Sequence, residues 1–182
     1  VSGAPPAIHL RPAEPDDFSV IHDIYRHHVL NGLGSFEEEP PDRAELLRRF
    51  GEVRARDLPY LVALQTDHVV GYAYAAQFRP RAAYRFSVED SIYIAPDMAG
   101  RGVGRALLTT LIERCTARGL RRMIAVIGDS GNAGSIGLHR ALGFSPPAVI
   151  EGAGFKFGRW VDIVMMQRAL GPGATLPPPA GS

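Results

Sequence analysis

Apolar and polar residues alternate in short blocks whose period changes several times along the chain. "IHLRPA", from Ile8, reads as a short strand. "EPDDFSVIHDIYRHHVLNG" then puts Phe18, Ile21 and Tyr25 on one helical face, with Pro15 at the opening, Asp16 and Asp17 in the first turn and Gly32 beyond the end. A second helix is predicted from Asp42. Glu45 stands three residues on, as in a capping box, and Leu46, Leu47, Phe50 and Val53 make its stripe. The intervening "GLGSFEEEPP" reads as a loop. "YLVALQ" and "VVGYAYAAQF", separated by Thr66, Asp67 and His68, read as an antiparallel hairpin.

The next strand, "RFSVEDSIYIA", alternates strictly. Phe86, Val88, Asp90, Ile92 and Ile94 fall on one face and Ser87, Glu89, Ser91 and Tyr93 on the other, so two adjacent carboxylates point opposite ways. After Pro96 and three glycines, Leu107, Leu108, Leu111, Ile112 and Cys115 form a helical stripe that stops at Gly119. Strand "RRMIAVIG", a helix from about Asn132 to Leu142 with Gly143 past its end, and two strand-like runs complete the order βααβββαβαββ. This order predicts an α/β (α+β) fold. Strand 121–127, reached through a helix, is expected parallel to strand 86–95, and the hairpins antiparallel.

Composition narrows the function classes. A length of 182 residues favours one domain, placed at 8–170, while "VSGAPPA" (1–7) and "GPGATLPPPAGS" (171–182) are Pro/Gly-rich and read as flexible tails. The net charge of +1 gives no reason to expect a nucleic-acid or membrane-surface partner. One cysteine excludes a disulfide framework, and neither a membrane span nor a signal peptide is recognisable, so a cytoplasmic location is expected. Cys115 shares the stripe of Leu108, Leu111 and Ile112, with no base assignable nearby, and is expected in the core rather than as a nucleophile. His27 and His28 are adjacent and cannot share the i, i+4 face of a helical metal pair; no metal is expected.

"SIYIAPDMAGRGVGRALL" joins a strand to a helix through a glycine turn. Such a junction presents unpaired backbone N–H groups at a positive helix end, where a phosphate can bind. Gly100, Gly102 and Gly104 permit close approach, and Arg101 and Arg105 add charge. The Walker pattern lacks its Gly-Lys-Ser/Thr, and Arg105 and Leu107 stand where GxGxxG would need its third glycine. The competing account is a glycine-lined turn that allows tight helix-to-sheet packing.

"AGRGVGRALL" resembles the Q/R-x-x-G-x-G/A pyrophosphate loop of the GNAT superfamily of acyl-CoA-dependent N-acyltransferases, with Ala99 where Gln or Arg is usual. "NAGSIGLHRALGF" is similar to the superfamily's N-x-x-[AS]-x-x-L-Y-x-x-x-G-F segment, with Asn132, Ser135, Leu138, Gly143 and Phe144 in register and His139 replacing tyrosine. The strand order likewise resembles the GNAT fold, a mixed, mostly antiparallel sheet flanked by helices. More narrowly, "SFEEEPP", "RPRAAYRFSVEDSIYI", "VIGDSGNAGSIGLHRALGF" and "GAGFKFGRWVDIVMMQ" resemble the phosphinothricin and methionine sulfoximine N-acetyltransferases, in which histidine is usual in the LH pair.

The resemblance implies acetyl transfer from acetyl-CoA to the α-amino group of a small amino-acid-like substrate, in a homodimer. That chemistry needs a base, oxyanion donors and cations for an anionic acceptor. Glu89 matches the glutamate of the family's V-E-x-S-[IV]-Y segment and is the candidate base; the competing role is a glutamate holding an arginine or water. Asp90, facing away, is left out of catalysis. His139 is either a rival base, an acid for the thiolate, or a packed polar contact. Ile92, Tyr93 and Ile94 are expected to pair with the pantetheine arm, and Gly100, Arg101, Gly102, Val103, Gly104, Arg105, Asn132 and Ser135 to hold the rest of acetyl-CoA.

Arg79 and Arg81, around Pro80, are expected to bind the acceptor's carboxylate or phosphinate, with Tyr84 as a lid residue and Phe36 closing the amine side. A different small amine, such as a polyamine, or a protein N-terminus is a further acceptor option, although two arginines there would repel a polyamine. Glu37 to Glu39 are expected to be solvated. Lys156, Arg159 and Trp160 belong to a hairpin able to reach a partner subunit, with Trp160 more often a core residue. Phe157 stands where phosphinothricin-detoxifying members can carry histidine. A noncatalytic acyl-CoA sensor is the contrasting class; retention of Glu89, both arginines and Tyr84 argues against it.

Overall fold

The computed structural model describes residues 7–178. Seven strands form one mixed sheet in the order β1-β2-β3-β4-β5-β7-β6. They are β1 (Ile8–Pro12), β2 (Tyr60–Gln65), β3 (His68–Gln77), β4 (Ser87–Ile94), β5 (Arg122–Gly128), β6 (Ala148–Lys156) and β7 (Arg159–Ala169). Only β4 and β5 pair in parallel, as expected for strands joined through a helix; every other pair is antiparallel. The helices are α1 (Phe18–Asn31), α2 (Arg43–Ala55), α3 (Val103–Ala117) and α4 (Ala133–Ala141).

Strict alternation lets the sheet carry a core on each face. On one side the α3 stripe Leu107, Leu108, Leu111, Ile112 and Cys115 packs on Ala73, Ala75 and Val88. Burial pushes the Cys115 thiol up to about 12, which keeps it inert. On the other side Phe18, Ile21 and Tyr25 of α1 and Leu46, Phe50 and Val53 of α2 cover Tyr60, Val62 and Tyr72.

Local differences from expectation have local causes. Pro15–Asp17 forms a 3-10 turn, so α1 starts at Phe18. Asp42 does cap α2, its Oδ1 accepting from the Glu45 amide at 2.8 Å, but the Glu45 carboxylate turns to Arg48 (2.7 Å) and Arg49 (2.8 Å) instead of closing a box. Arg49 also binds Glu37 at 2.6 Å, so that carboxylate is ion-paired rather than merely solvated. Trp160 is 69% exposed, not a core residue, because it stands on the outer surface of the β6–β7 hairpin against Phe155. The expected tails fall partly outside the described residues, at 1–6 and 179–182. Residues 171–175 form hydrogen-bonded turns, and Arg121 reaches the Gly173 carbonyl at 3.4 Å.

Candidate active site

β4 and β5 pair from Ser87↔Arg122 to Asp90↔Ala125 and then part. Beyond Asp90, Ser91 to Ile94 stay paired to β3, through Gly71↔Ile94, but have no β5 partner. The resulting fork opens into a cavity of about 650 Å³ whose wall includes Ile92, Tyr93, Ile94, Gly102, Ser135 and His139. Its open strand edge can accept an extended amide-bearing chain as an added strand.

The glycine turn lies at the mouth of the fork. Gly100 and Gly102 have φ of +75° and +83°, left-handed values that a side chain resists. Gly102 is the N-cap of α3 and provides no side-chain cap, which leaves first-turn N–H groups available to an anion. Gly104 serves differently: a Cβ there would stand 3.2 Å from Leu138 Cδ2, so it permits α3 to approach α4. The packing account thus applies at Gly104, while Gly100 and Gly102 keep the backbone geometry that an anion site requires. Val103 is buried under the turn, whereas Arg101 is exposed beside it, and Arg105 joins the cavity wall.

The adjacent α4 start is closed by contrast. Asn132 Oδ1 accepts from the Ser135 amide at 3.1 Å, so this residue of the cavity wall spends its oxygen on capping its own helix. One turn on, His139 is 3% exposed. Its Nδ1 donates to the Ser135 carbonyl at 2.7 Å and its Nε2 meets Asp90 Oδ2 at 3.0 Å. Burial opposes charge on this ring, but the Asp90 hydrogen bond and charge and the Ser135 carbonyl outweigh it and raise the imidazole. Both nitrogens are therefore engaged. Asp90, expected to face away from the chemistry, instead lines the cavity beside His139, and its Oδ1 is the one buried side-chain polar atom without a partner among the described residues.

Glu89 projects from the opposite face of β4, the face of Tyr93 and Tyr74 that α1 covers. The two candidate bases therefore lie on opposite sides of the sheet. Burial raises the Glu89 carboxyl, the charge of Asp90 adds to this, and Arg79 partly offsets it. Arg79 stacks 4.5 Å from the Phe78 ring centroid, and Tyr84 meets the same ring edge-on at 5.8 Å. Arg81 precedes the 3-10 turn Ala82–Tyr84 and is exposed. Phe36 is 38% exposed and seats against Gly154 of β6. None of Phe36, Arg79, Arg81, Tyr84 or Glu89 forms part of the cavity wall. Both arginines are exposed.

His28 is a wall residue that the sequence reading considered only as a metal ligand. Its Nε2 donates to the Ile94 carbonyl at 2.8 Å, and burial lowers the ring's pKa. The helical pattern places His28 beside the buried Val29, but a contact to a strand 66 residues away carries no local signal. Among the described residues, no group of three or more His, Cys, Asp or Glu side chains is arranged to hold a metal, and no helix is long and apolar enough to cross a membrane.

The sequence pattern of the Acetyltransferase (GNAT) family matches residues 21–144. A phosphinothricin N-acetyltransferase of Alcaligenes faecalis is 53% identical over 169 residues, which cover 93% of this chain and 86% of that protein. An L-methionine sulfoximine/L-methionine sulfone acetyltransferase of Pseudomonas paraeruginosa is 41% identical over 169 residues, 92% of this chain and 98% of the other. Among solved structures, a GNAT superfamily phosphinothricin acetyltransferase from Sinorhizobium meliloti in complex with AcCoA superimposes with a TM-score of 0.93 at 50% identity, over 96% of this chain and 94% of that one.

Proposed function

Because this chain belongs to the acetyltransferase (GNAT) family, we propose that it is an acetyl-CoA-dependent N-acetyltransferase whose acceptor is the α-amino group of a small amino-acid analogue of the phosphinothricin, methionine sulfoximine or methionine sulfone type. The observation that carries the reading is the fork. An open β4 edge from Ser91 to Ile94 runs to an uncapped, glycine-turned helix start, a continuous run of backbone donors and acceptors suited to a pantetheine arm and its pyrophosphate. Similarity to acetyltransferases of these acceptors supports the substrate class.

Acetyl-CoA supplies an activated acetyl thioester. The chain's own residues do the rest. Ile92, Tyr93 and Ile94 orient the arm, with the Tyr93 side chain held by Tyr25 and Tyr72, at ring distances of 5.0 and 5.3 Å. Gly100, Gly102, Val103 and Gly104 take the phosphates on backbone N–H groups, with Arg101 and Arg105 adding charge. Asn132 and Ser135 set the far wall. Asp90 Oδ1, a buried acceptor on that wall, suits an N–H or O–H donor.

Glu89 takes the proton of the acceptor's ammonium. Its raised carboxyl makes it a better base than an exposed glutamate, while Arg79 helps keep it charged. His139 is a less suitable base because both its nitrogens are bound; it ties α4 to the apex of the fork through Asp90. Arg79 and Arg81 hold the acceptor's anionic end, Tyr84 covers it and Phe36 bounds the amine side. We place the enzyme in the cytoplasm, in keeping with a single buried thiol. We propose a homodimer in which a second copy covers Phe155, Phe157 and Trp160, which are 55%, 57% and 69% exposed on one hairpin.

Release of coenzyme A thiol tests the proposal against a panel of phosphinothricin, methionine sulfoximine, methionine sulfone, ordinary amino acids and a polyamine. Saturable turnover on the tetrahedral analogues, lost in Arg79→Ala or Arg81→Ala, is expected. Acetyl-CoA binding with no turnover on any amine returns the sensor reading, and turnover on the polyamine alone discards the acceptor site.

A further inference from the structure

We propose that Lys156 is a positioning residue for acceptor binding, pinning the segment Gly32–Phe36 as a strap across the open fork. The proposal rests on the acetyltransferase reading above. Lys156 ends β6 and is 3% exposed. Its Nζ donates to the Gly32 carbonyl at 2.9 Å and the Ser35 carbonyl at 2.7 Å, and lies 4.9 Å from the Phe157 ring centroid. Two carbonyls and a ring face therefore surround the ammonium, and among the described residues no carboxylate pairs with it directly, though the charges of Glu38 and Glu37 act on it. Burying a lysine head this way costs desolvation that an apolar residue would avoid, so space-filling is a poor account of it. What the contacts accomplish is to close both ends of one short loop.

Two glycines seat the same loop. A Cβ on Gly128, at the end of β5, would collide with the Leu33 carbonyl, and one on Gly154 of β6 would collide with the Phe36 ring. The near end is tied to α1 and α2. Ser35 Oγ lies 3.0 Å from the Tyr25 hydroxyl and accepts the Glu37 amide at 3.2 Å, while Glu37 binds Arg49 at 2.6 Å. Gly32, Leu33 and Gly34 thus line the fork, and Phe36, outside its wall, is seated on Gly154.

The strap is tied to the Glu89 face of β4: Ser35 Oγ lies 3.0 Å from the Tyr25 hydroxyl, the Tyr25 ring meets Tyr93 edge-on at 5.0 Å, and Tyr93 shares that face with the candidate base Glu89. The phosphate turn is held by contacts outside the strap, the Met98 N–H donating to the Ala95 carbonyl at 2.9 Å and Gly104 leaving room for Leu138 of α4. Removing the pin is therefore expected to loosen the acceptor wall and spare the hold on acetyl-CoA.

The test uses the full chain with Lys156→Met, which keeps length and removes the charge, Lys156→Arg, and Gly154→Ala, which displaces Phe36 from below. Amide exchange is measured across residues 32–37, with KM for methionine sulfoximine and phosphinothricin and Kd for acetyl-CoA. The expected result for Lys156→Met and Gly154→Ala is exchange about tenfold faster in the strap alone, an acceptor KM raised about tenfold or more, and kcat and the acetyl-CoA Kd within about threefold. Lys156→Arg should recover part of the KM. A uniform fall in kcat with both affinities unchanged would reduce Lys156 to a folding role. Unchanged strap exchange in Lys156→Met would overturn the pin, as would faster exchange with an unaltered acceptor KM. If the wild-type chain acetylates no analogue at all, the acceptor reading itself fails in the wild type, and the assignment of Lys156 fails with it.

Discussion

At the α3 end of the cleft the groups available to a ligand are mostly backbone: an unpaired strand edge, two left-handed glycines and an uncapped helix start within a dozen residues of chain. At the end where we propose that the acceptor binds they are side chains drawn from three separated segments, Phe36, Arg79 and Glu89, with the Gly32–Phe36 segment held in turn by Lys156. A surface made of backbone tolerates exchange of its side chains, as Ala99 in place of Gln or Arg illustrates, and serves a common ligand part. A surface made of side chains can be retuned one residue at a time, and it is where relatives of one fold can part in substrate.

The sharpest break in that comparison comes from Glu89→Gln. It should lower kcat by about 10²–10⁴-fold while the acetyl-CoA Kd stays within about twofold, read by steady-state kinetics and calorimetric titration. The wild-type kcat/KM should rise with pH on a limb above the ordinary glutamate value of 4.5, since Glu89 acts ionised and its carboxyl is raised; the Gln variant should lose that limb.

Asp90→Asn probes the apex between the two ends. The His139 ring titrates above its ordinary 6.5 in the folded state, so the pair's stabilisation is complete below pH 6.5 and fades as pH rises through the raised value. Removing the Asp90 charge should cost about 1.5–3 kcal/mol at pH 6, less at pH 9, and flatten the pH dependence of chemical denaturation.

Gly102→Val addresses the backbone end. A branched residue at φ +83° costs about 1–2 kcal/mol, and relief of that strain would turn the amides away from the phosphates, so the acetyl-CoA Kd should rise roughly tenfold with the acceptor KM little changed. The smallest effect is expected from Ala99→Gln. One added side-chain donor should tighten acetyl-CoA by no more than about fivefold, consistent with a net hydrogen bond of about 1 kcal/mol.

The same division decides what could be read from the sequence. Strand order, the α3 stripe, the Asp42 cap, the α4 helix and the glycine turn are local patterns, set by residues within a few positions of one another, and they appear where periodicity placed them. Lys156 finds Gly32 across 124 residues, and nothing near "GFKFG" signals it. Gly128 and Gly154 look like ordinary strand glycines until the loop they admit is seen. Alternation correctly put Asp90 and Glu89 on opposite faces, yet it carries no sign that a helix 49 residues later brings His139 to Asp90. Trp160 was misplaced for a related reason: its size suggested a core, whereas an edge hairpin leaves that face outside.

The most direct test of the account is to identify the acetylated atom. Methionine sulfoximine carries an α-amine and a sulfoximine nitrogen, so incubation of the full chain with acetyl-CoA and this acceptor, together with phosphinothricin, followed by NMR of the products, reads both reactivity and site. The account predicts α-N-acetyl products formed one for one with free thiol. Acetyl on the sulfoximine nitrogen, or acetyl-CoA bound with neither compound acetylated, would contradict it.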